Sequence, residues 1–186
     1  MAGILTKKQI FTIPNMMSFF RILLIPGIVI AYCKLEEFML AIGLVLVSGI
    51  TDILDGKIAR KFNMISDFGK ILDPIADKLT QAAIALSLQF HFPHMLWMFA
   101  LMFVKELIMS VTGALSVKYT GDVYGANWHG KVTTVVLYFV MVLHMVWAKM
   151  PMTISYILSL LCAVVMIISL YLYASYNLKQ IKKMKK

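Results

Sequence analysis

The chain has 186 residues, the length of one domain. It is 61% hydrophobic and only 15% charged, with a mean hydropathy of +0.83. Soluble domains are nearer half apolar, so a water-soluble globule is excluded and the class is integral membrane. The net charge of +9 would suit nucleic acid in a polar chain; in one this apolar it suits anionic lipid instead.

The expected fold is all-α and polytopic, one membrane domain over residues 1–186 with six transmembrane helices, each needing roughly 20 apolar residues. Gln9 to Phe20, punctuated by Pro14, reads as a short amphipathic segment at the interface. The first span then runs from Ser18 to Cys33 and contains Pro26. The second runs from Phe38 to Ala59, the third from Phe68 to Phe90 and the fourth from Met95 to Val117. The fifth runs from Asn127 to Ala148 and the sixth from Thr153 to Tyr173. Pro93 and Pro151 mark short turns, and Ser66 or Asp67 is placed to cap the third helix. Cys33 and Cys162 lie inside apolar runs, without metal-ligand spacing, and read as small buried hydrophobes. No cleavable signal peptide is evident.

Lysine and arginine set the orientation. With the N-terminus inside, the inner segments hold Lys7, Lys8, Arg21, Lys57, Arg60, Lys61, Lys70, Lys118, Lys131, Lys179, Lys182, Lys183, Lys185 and Lys186. The outer ones hold Lys34 and Lys149 alone. Both termini are therefore expected on the cytoplasmic side of a cell membrane.

The chemistry gathers where the second span ends and the third begins. Asp52 and Asp55 are three residues apart, and Asp73 and Asp77 four apart, so each pair lies on one helix face. The short link from Lys61 to Phe68 makes the two helices antiparallel neighbours, with both pairs near the cytoplasmic mouth. One carboxylate inside a membrane costs roughly 2.5–3.5 kcal/mol. Wetting at the interface and pairing with Lys57, Arg60 or Lys78 would explain one or two of the four, and a bound cation explains the set. Carboxylate oxygens without nitrogen or sulfur ligands select hard cations. Two Mg2+ or Mn2+ ions would suit phosphoryl transfer. Gly56 and Gly69 leave room for a bulky ligand against the backbone, and the planar fork of Arg60 suits a phosphate.

These residues read Asp52-x2-Asp55-Gly56-x2-Ala59-Arg60-x8-Gly69-x3-Asp73-x3-Asp77. The pattern resembles the signature of the CDP-alcohol phosphatidyltransferases at every fixed position. Ile13-Pro14-Asn15-Met16-Met17-Ser18 followed by Arg21 resembles that family's N-terminal segment. The resemblance implies that an alcohol attacks the β-phosphorus of CDP-diacylglycerol and CMP leaves. It implies metal ligation by Asp52, Asp55 and Asp73, with Asp77 close enough to ligate too and acting as the catalytic general base. Gly56, Ala59 and Gly69 would admit the cytidine, Arg60 would touch the pyrophosphate, and Asn15 and Arg21 would line the donor site. It also implies a homodimer, for which Ala82, Ala83, Ala85 and Gly113 offer small surfaces.

The acceptor is read from the second half. Asn127-Trp128-His129-Gly130-Lys131-Val132-Thr133-Thr134 resembles a segment of the family's phosphatidylglycerophosphate synthases, with Thr133 in place of a second lysine. Lys131, Lys105 and Lys118 are the candidate cations for a phosphate-bearing alcohol such as glycerol 3-phosphate, with Glu106 placed to neutralise Lys105. Cardiolipin synthesis from phosphatidylglycerol is the alternative within the family. A cation transporter is the alternative of another class, although its carboxylates would be spread over opposed helices near the midplane. The charge asymmetry makes one direct prediction. A cysteine placed in the C-terminal lysine tail should react with a membrane-impermeant reagent only after the cell is opened; labelling from outside intact cells would invert the topology.

Overall fold

The computed structural model describes residues 12–64, 66, 68–120 and 128–184, without the side chains of 117–120, 128–129 and 180–184. All regular structure among them is helical: α1 (Ile13–Cys33), α2 (Phe38–Lys61), α3 (Gly69–Leu88), α4 (Met95–Thr120), α5 (Trp128–Val146) and α6 (Met152–Met184). Four segments are long and apolar enough to cross a membrane: α1, α2, Met95–Ser116 of α4 and Met152–Lys179 of α6. Gly130–Val146 of α5 is apolar but shorter, and α3 carries Lys70, Asp73, Asp77 and Lys78.

The described part of the expected interfacial segment is no separate element. It forms the first turns of α1, which runs unbroken from Ile13. Thr12 caps it, its hydroxyl accepting from the Asn15 N–H at 3.4 Å. Pro14 sits in the first turn, where a missing N–H costs nothing. Pro26 lies inside the helix without ending it, as membrane helices tolerate. The sixth helix runs eleven residues beyond the expected Tyr173. Hydropathy marks where a helix leaves the apolar layer, and the residues beyond (Ala174, Leu178, Lys179, Gln180, Lys182 and Lys183) are good helix formers.

The chain divides into two compact units, residues 1–90 and 91–186. In the first, α1 packs closely along both α2 and α3. The two carboxylate-bearing helices make no comparable contact with each other, so they are not the direct neighbours their short link suggested; α1 serves both. Between them the chain turns by a device visible in the hydrogen bonds. Asn63 adopts a left-handed φ of 51°, a conformation asparagine tolerates. The Met64 N–H then reaches back to Ala59 O at 3.0 Å, closing the end of α2. Ser66 opens α3, its hydroxyl accepting from the Gly69 N–H at 2.9 Å. Asp67, the other capping candidate, lies outside the described residues.

In the second unit α6 packs against α4 and α5. Ser155, Ser159, Cys162, Ala163, Met166 and Ser169 are buried at helical spacing along it, and small side chains let helices approach closely. Gly113 of α4 takes part: a Cβ there would stand 3.1 Å from Tyr173 Oη. Its small surface is thus used within the chain. Met95, Met98, Met102, Met141 and Met145 fill much of the remaining core, as a flexible thioether can.

A buried polar chain joins α5, α6 and the turn before α4. His144 Nδ1 lies 2.7 Å from Val140 O, and a carbonyl only accepts, so Nδ1 carries the proton. In the neutral ring Nε2 must accept, and it takes the Ser155 hydroxyl proton at 2.8 Å. Ser155 Oγ in turn accepts from His94 Nε2 at 2.9 Å. His94, in the turn before α4, also stacks on Tyr156, with ring centroids 4.2 Å apart. Burial holds its pKa below the ordinary 6.5. A depressed basic pKa means the unfolded chain takes up the proton first. Stability is therefore whole above about pH 6.5 and falls as the pH drops below it. Thermal unfolding in detergent should show this slope, and His94→Gln should flatten it. Ser155→Ala should cost about 1–3 kcal/mol, since it strands two buried ring nitrogens.

Candidate active site

α1 is apolar except along one line. Asn15, Ser18 and Arg21 recur every three residues, which places them on one face, and all three are buried. A buried guanidinium must be paired, because an uncompensated charge there is strongly destabilising. Arg21 is only 2% exposed and is paired three times over. Nη1 donates to Asp52 Oδ1. Nη2 donates to Asp55 Oδ2 at 2.8 Å and stands 3.9 Å from Asp73 Oδ1. These carboxylates come from α2 and α3, so Arg21 ties all three helices of the first unit together.

Ser18 completes the cluster. Its hydroxyl is hydrogen-bonded to Asp73 Oδ1, with Pro14 O at 3.2 Å and Asp55 Oδ2 at 3.5 Å also in reach. It has one proton to give and accepts from Arg21 Nη2 at 3.4 Å. The Asp55 side chain is nearly enclosed, at 4% exposure. Those of Asp52 and Asp73 are 48% and 39% exposed, so the cluster has a closed back and an open front. Asp77 Oδ2 accepts from Gln81 Nε2 at 3.0 Å, one turn along α3. Both Asp77 and Asp73 lie near enough for their charges to act on Asp52.

The glycines differ. Among the described residues, a Cβ on Gly56 would meet Arg60 Nη2 alone, at an ordinary 3.7 Å. Ala59 is half-buried and Arg60 is exposed, both in the last turn of α2. A Cβ on Gly69 would stand 2.5 Å from Asn15 Oδ1 and 3.1 Å from Ser66 Oγ. Asn15 Nδ2 in turn donates to Ser66 Oγ at 3.1 Å. Gly69 is thus the point where α1 and the cap of α3 meet.

Of the candidate acceptor residues, Lys105 is buried, with Nζ 2.8 Å from Glu106 Oε1. Lys131 is exposed in the first turn of α5, and Thr133, at the position of the related segment's second lysine, is buried. The Lys118 side chain lies outside the described residues. All three belong to the second unit.

The donor set fits a hard divalent cation in kind, being carboxylate oxygens that already surround a cationic group. Among the described residues no group of three or more His, Cys, Asp or Glu side chains is arranged to hold a metal ion directly. Asp52, Asp55 and Asp73 gather on Arg21 rather than on one another. Sequence reasoning gave Ser18 no role. Its place three residues from both Asn15 and Arg21 was the available signal.

Comparison with known proteins agrees with the motif. A sequence model of the CDP-alcohol phosphatidyltransferase family matches residues 11–175. The chain is 35% identical over 140 residues to the Bacillus subtilis CDP-diacylglycerol–glycerol-3-phosphate 3-phosphatidyltransferase, covering 67% of this chain and 71% of that one. It is 39% identical over 105 residues to the Haemophilus influenzae protein of the same name, covering 54% and 56%. It is 35% identical over 109 residues to a probable cardiolipin synthase (CMP-forming) of Drosophila melanogaster, covering 58% of this chain and 33% of the fly protein. The chain thus spans about a third to seven tenths of the length of these three relatives.

The Gly69 contact generates a prediction. Gly69→Ala should destabilise the chain by about 1–3 kcal/mol, the usual cost of overpacking. Adding Asn15→Ala should recover most of that loss, because the two residues share one contact. Simply additive losses in thermal unfolding would show that the glycine is needed for something else.

Proposed function

We propose that this chain, which belongs to the CDP-alcohol phosphatidyltransferase family, moves the phosphatidyl group of CDP-diacylglycerol to glycerol 3-phosphate and releases CMP. The observation that carries this is the gathering of Asp52, Asp55 and Asp73, from two helices, on one wall that opens outward at Asp52 and Asp73. Membership of a transferase family sets aside the cation-transporter reading.

The acceptor hydroxyl oxygen forms a bond to the β-phosphorus, the bond from that phosphorus to CMP breaks, and the hydroxyl proton passes to Asp77. Asp77 takes the role of base as a carboxylate held in place from its own helix, with Gln81 Nε2 donating to Oδ2 at 3.0 Å. Two Mg2+ or Mn2+ ions held by Asp52, Asp55, Asp73 and Asp77 would supply charge neutralisation for the pyrophosphate. Gly56 leaves the end of α2 open to the donor, with Ala59 beside it, and Arg60 offers its fork to a phosphate. Asn15 and Gly69, which meet at the α1–α3 junction, would line the donor site there.

Lys131 is the first candidate for the acceptor's phosphate because it is exposed at a helix start. Lys105 would serve only by giving up Glu106, and Lys118 is a third cation on α4. The relatives' names support both acceptors; glycerol 3-phosphate is the first reading because the relative matched over most of both chains carries that name, and phosphatidylglycerol, as in cardiolipin synthesis, is the second. The enzyme works in a cell membrane, crossing it six times with its site and both termini on the cytoplasmic side. The distribution of Lys and Arg supports that orientation. A homodimer is part of the same reading.

An acceptor panel tests it, with purified enzyme, CDP-diacylglycerol and Mg2+, scored by lipid product and CMP. Glycerol 3-phosphate should be consumed, and chelation should abolish turnover until Mg2+ or Mn2+ is restored. Turnover of phosphatidylglycerol but not glycerol 3-phosphate would replace the first acceptor by the second. Asp77→Asn should lower kcat by roughly 10^2–10^4, the usual contribution of a general base. Lys131→Ala should raise KM for glycerol 3-phosphate while sparing that for CDP-diacylglycerol.

A further inference from the structure

Arg21 stands where the expected metal ligands meet, and it is a cation itself. It reaches Asp52 Oδ1, Asp55 Oδ2 and Asp73 Oδ1 from the closed back of the cluster. The exposed sides of Asp52 and Asp73 form the front.

Two features distinguish this arrangement from a finished structural ion pair. A guanidinium buried for stability alone has its donors satisfied. Here Arg21 Nε is buried without a hydrogen-bond partner, and the approach to Asp73, at 3.9 Å, is an ion pair without a hydrogen bond. Among the described residues, these ion pairs set one guanidinium against three carboxylates. Ser18 softens their repulsion by bonding Asp73, but it brings no charge. The cluster therefore holds Arg21 and still attracts positive charge.

We propose that Arg21 is a resident counter-cation, held by Asp52, Asp55 and Asp73 in the metal-free protein, and that a divalent ion must take these same oxygens from it. The proposal rests on the metal-dependent transferase reading. Two cations drawn to one set of oxygens repel each other, so arginine and ion compete. Arg21 then does two things. It keeps the repulsion of the carboxylates from forcing α1, α2 and α3 apart, and it weakens divalent-ion binding below what the carboxylates alone would give. It is a positioning residue for the carboxylates, distinct from Asp77, which touches the acceptor.

The test is Mn2+ binding to the purified full chain in detergent without lipid substrate, read from the electron paramagnetic resonance of free Mn2+. Thermal unfolding is followed in parallel. Arg21→Gln should tighten Mn2+ binding by roughly ten- to a hundredfold, within the usual range of coupling between mutually exclusive occupants. Its metal-free form should unfold at a lower temperature than wild type, and Mn2+ should raise that temperature by more than it does in wild type. Arg21→Lys keeps a charge but cannot fork across three carboxylates, so its Mn2+ affinity should fall between the two. It carries the test if the Gln variant does not survive purification.

Mn2+ affinity in the variants equal to or weaker than wild type overturns the proposal, because a merely structural arginine would lower stability without tightening the metal. CMP release separates this from failure of the underlying function. A wild type that releases CMP from CDP-diacylglycerol, with variants of unchanged Mn2+ affinity, keeps the transferase and loses the counter-cation. Tightened Mn2+ binding in a chain that releases no CMP does the reverse.

Discussion

The first unit is organised by the pairing of Arg21 with carboxylates from two other helices. In lipid, apolar side chains gain nothing by leaving one apolar surface for another, so packing and polar contacts must hold helices together. A guanidinium at 2% exposure cannot be left unpaired, and neither can the enclosed Asp55. Each makes the other's burial affordable, and α1 becomes the helix against which the other two are placed. The carboxylate-bearing end of the first unit is thus also that unit's cohesive centre.

This dual use explains what was legible in advance. Asp52, Asp55, Asp73 and Asp77 were legible because acids are rare in apolar helices and their spacing fixed which faces they share. Gly56 and Gly69 were legible as a pair but not in their difference. One leaves space and the other closes a contact with Asn15, and only coordinates separate the two. Direct packing of α2 on α3 was the natural inference from a short link. It failed because a link limits distance without saying what stands between, and α1 supplies the side chains that the acids need. Ser18 was overlooked because a lone serine in an apolar run more often satisfies its own backbone. Here it also does so in part, through Pro14 O.

The second unit is held by a different kind of polar contact. Its His144–Ser155–His94 chain carries no net charge, and its direction is set by one carbonyl, Val140 O. Nothing in the spacing of positions 94, 144 and 155 announces that these residues meet. Cys162 was legible as a small buried side chain, because it lies inside an apolar run. The length of α6 was not, because a hydropathy window ends where lysines begin while a helix has no reason to stop there.

The contact at Gly69 has a mechanical consequence. Apolar helices in lipid can slide past one another along their long axes at little cost, since each new overlap is as greasy as the last. Shifting one helix by a single turn moves it about 5.4 Å. That distance would carry Arg21 out of reach of Asp73. The notch left by the missing Cβ of Gly69, with Asn15 seated in it and latched to Ser66, acts as a detent between α1 and α3. It fixes the vertical alignment of the two helices at a point only two turns from the charged cluster. A residue with no side chain thereby sets the gauge to which the acid groups are aligned.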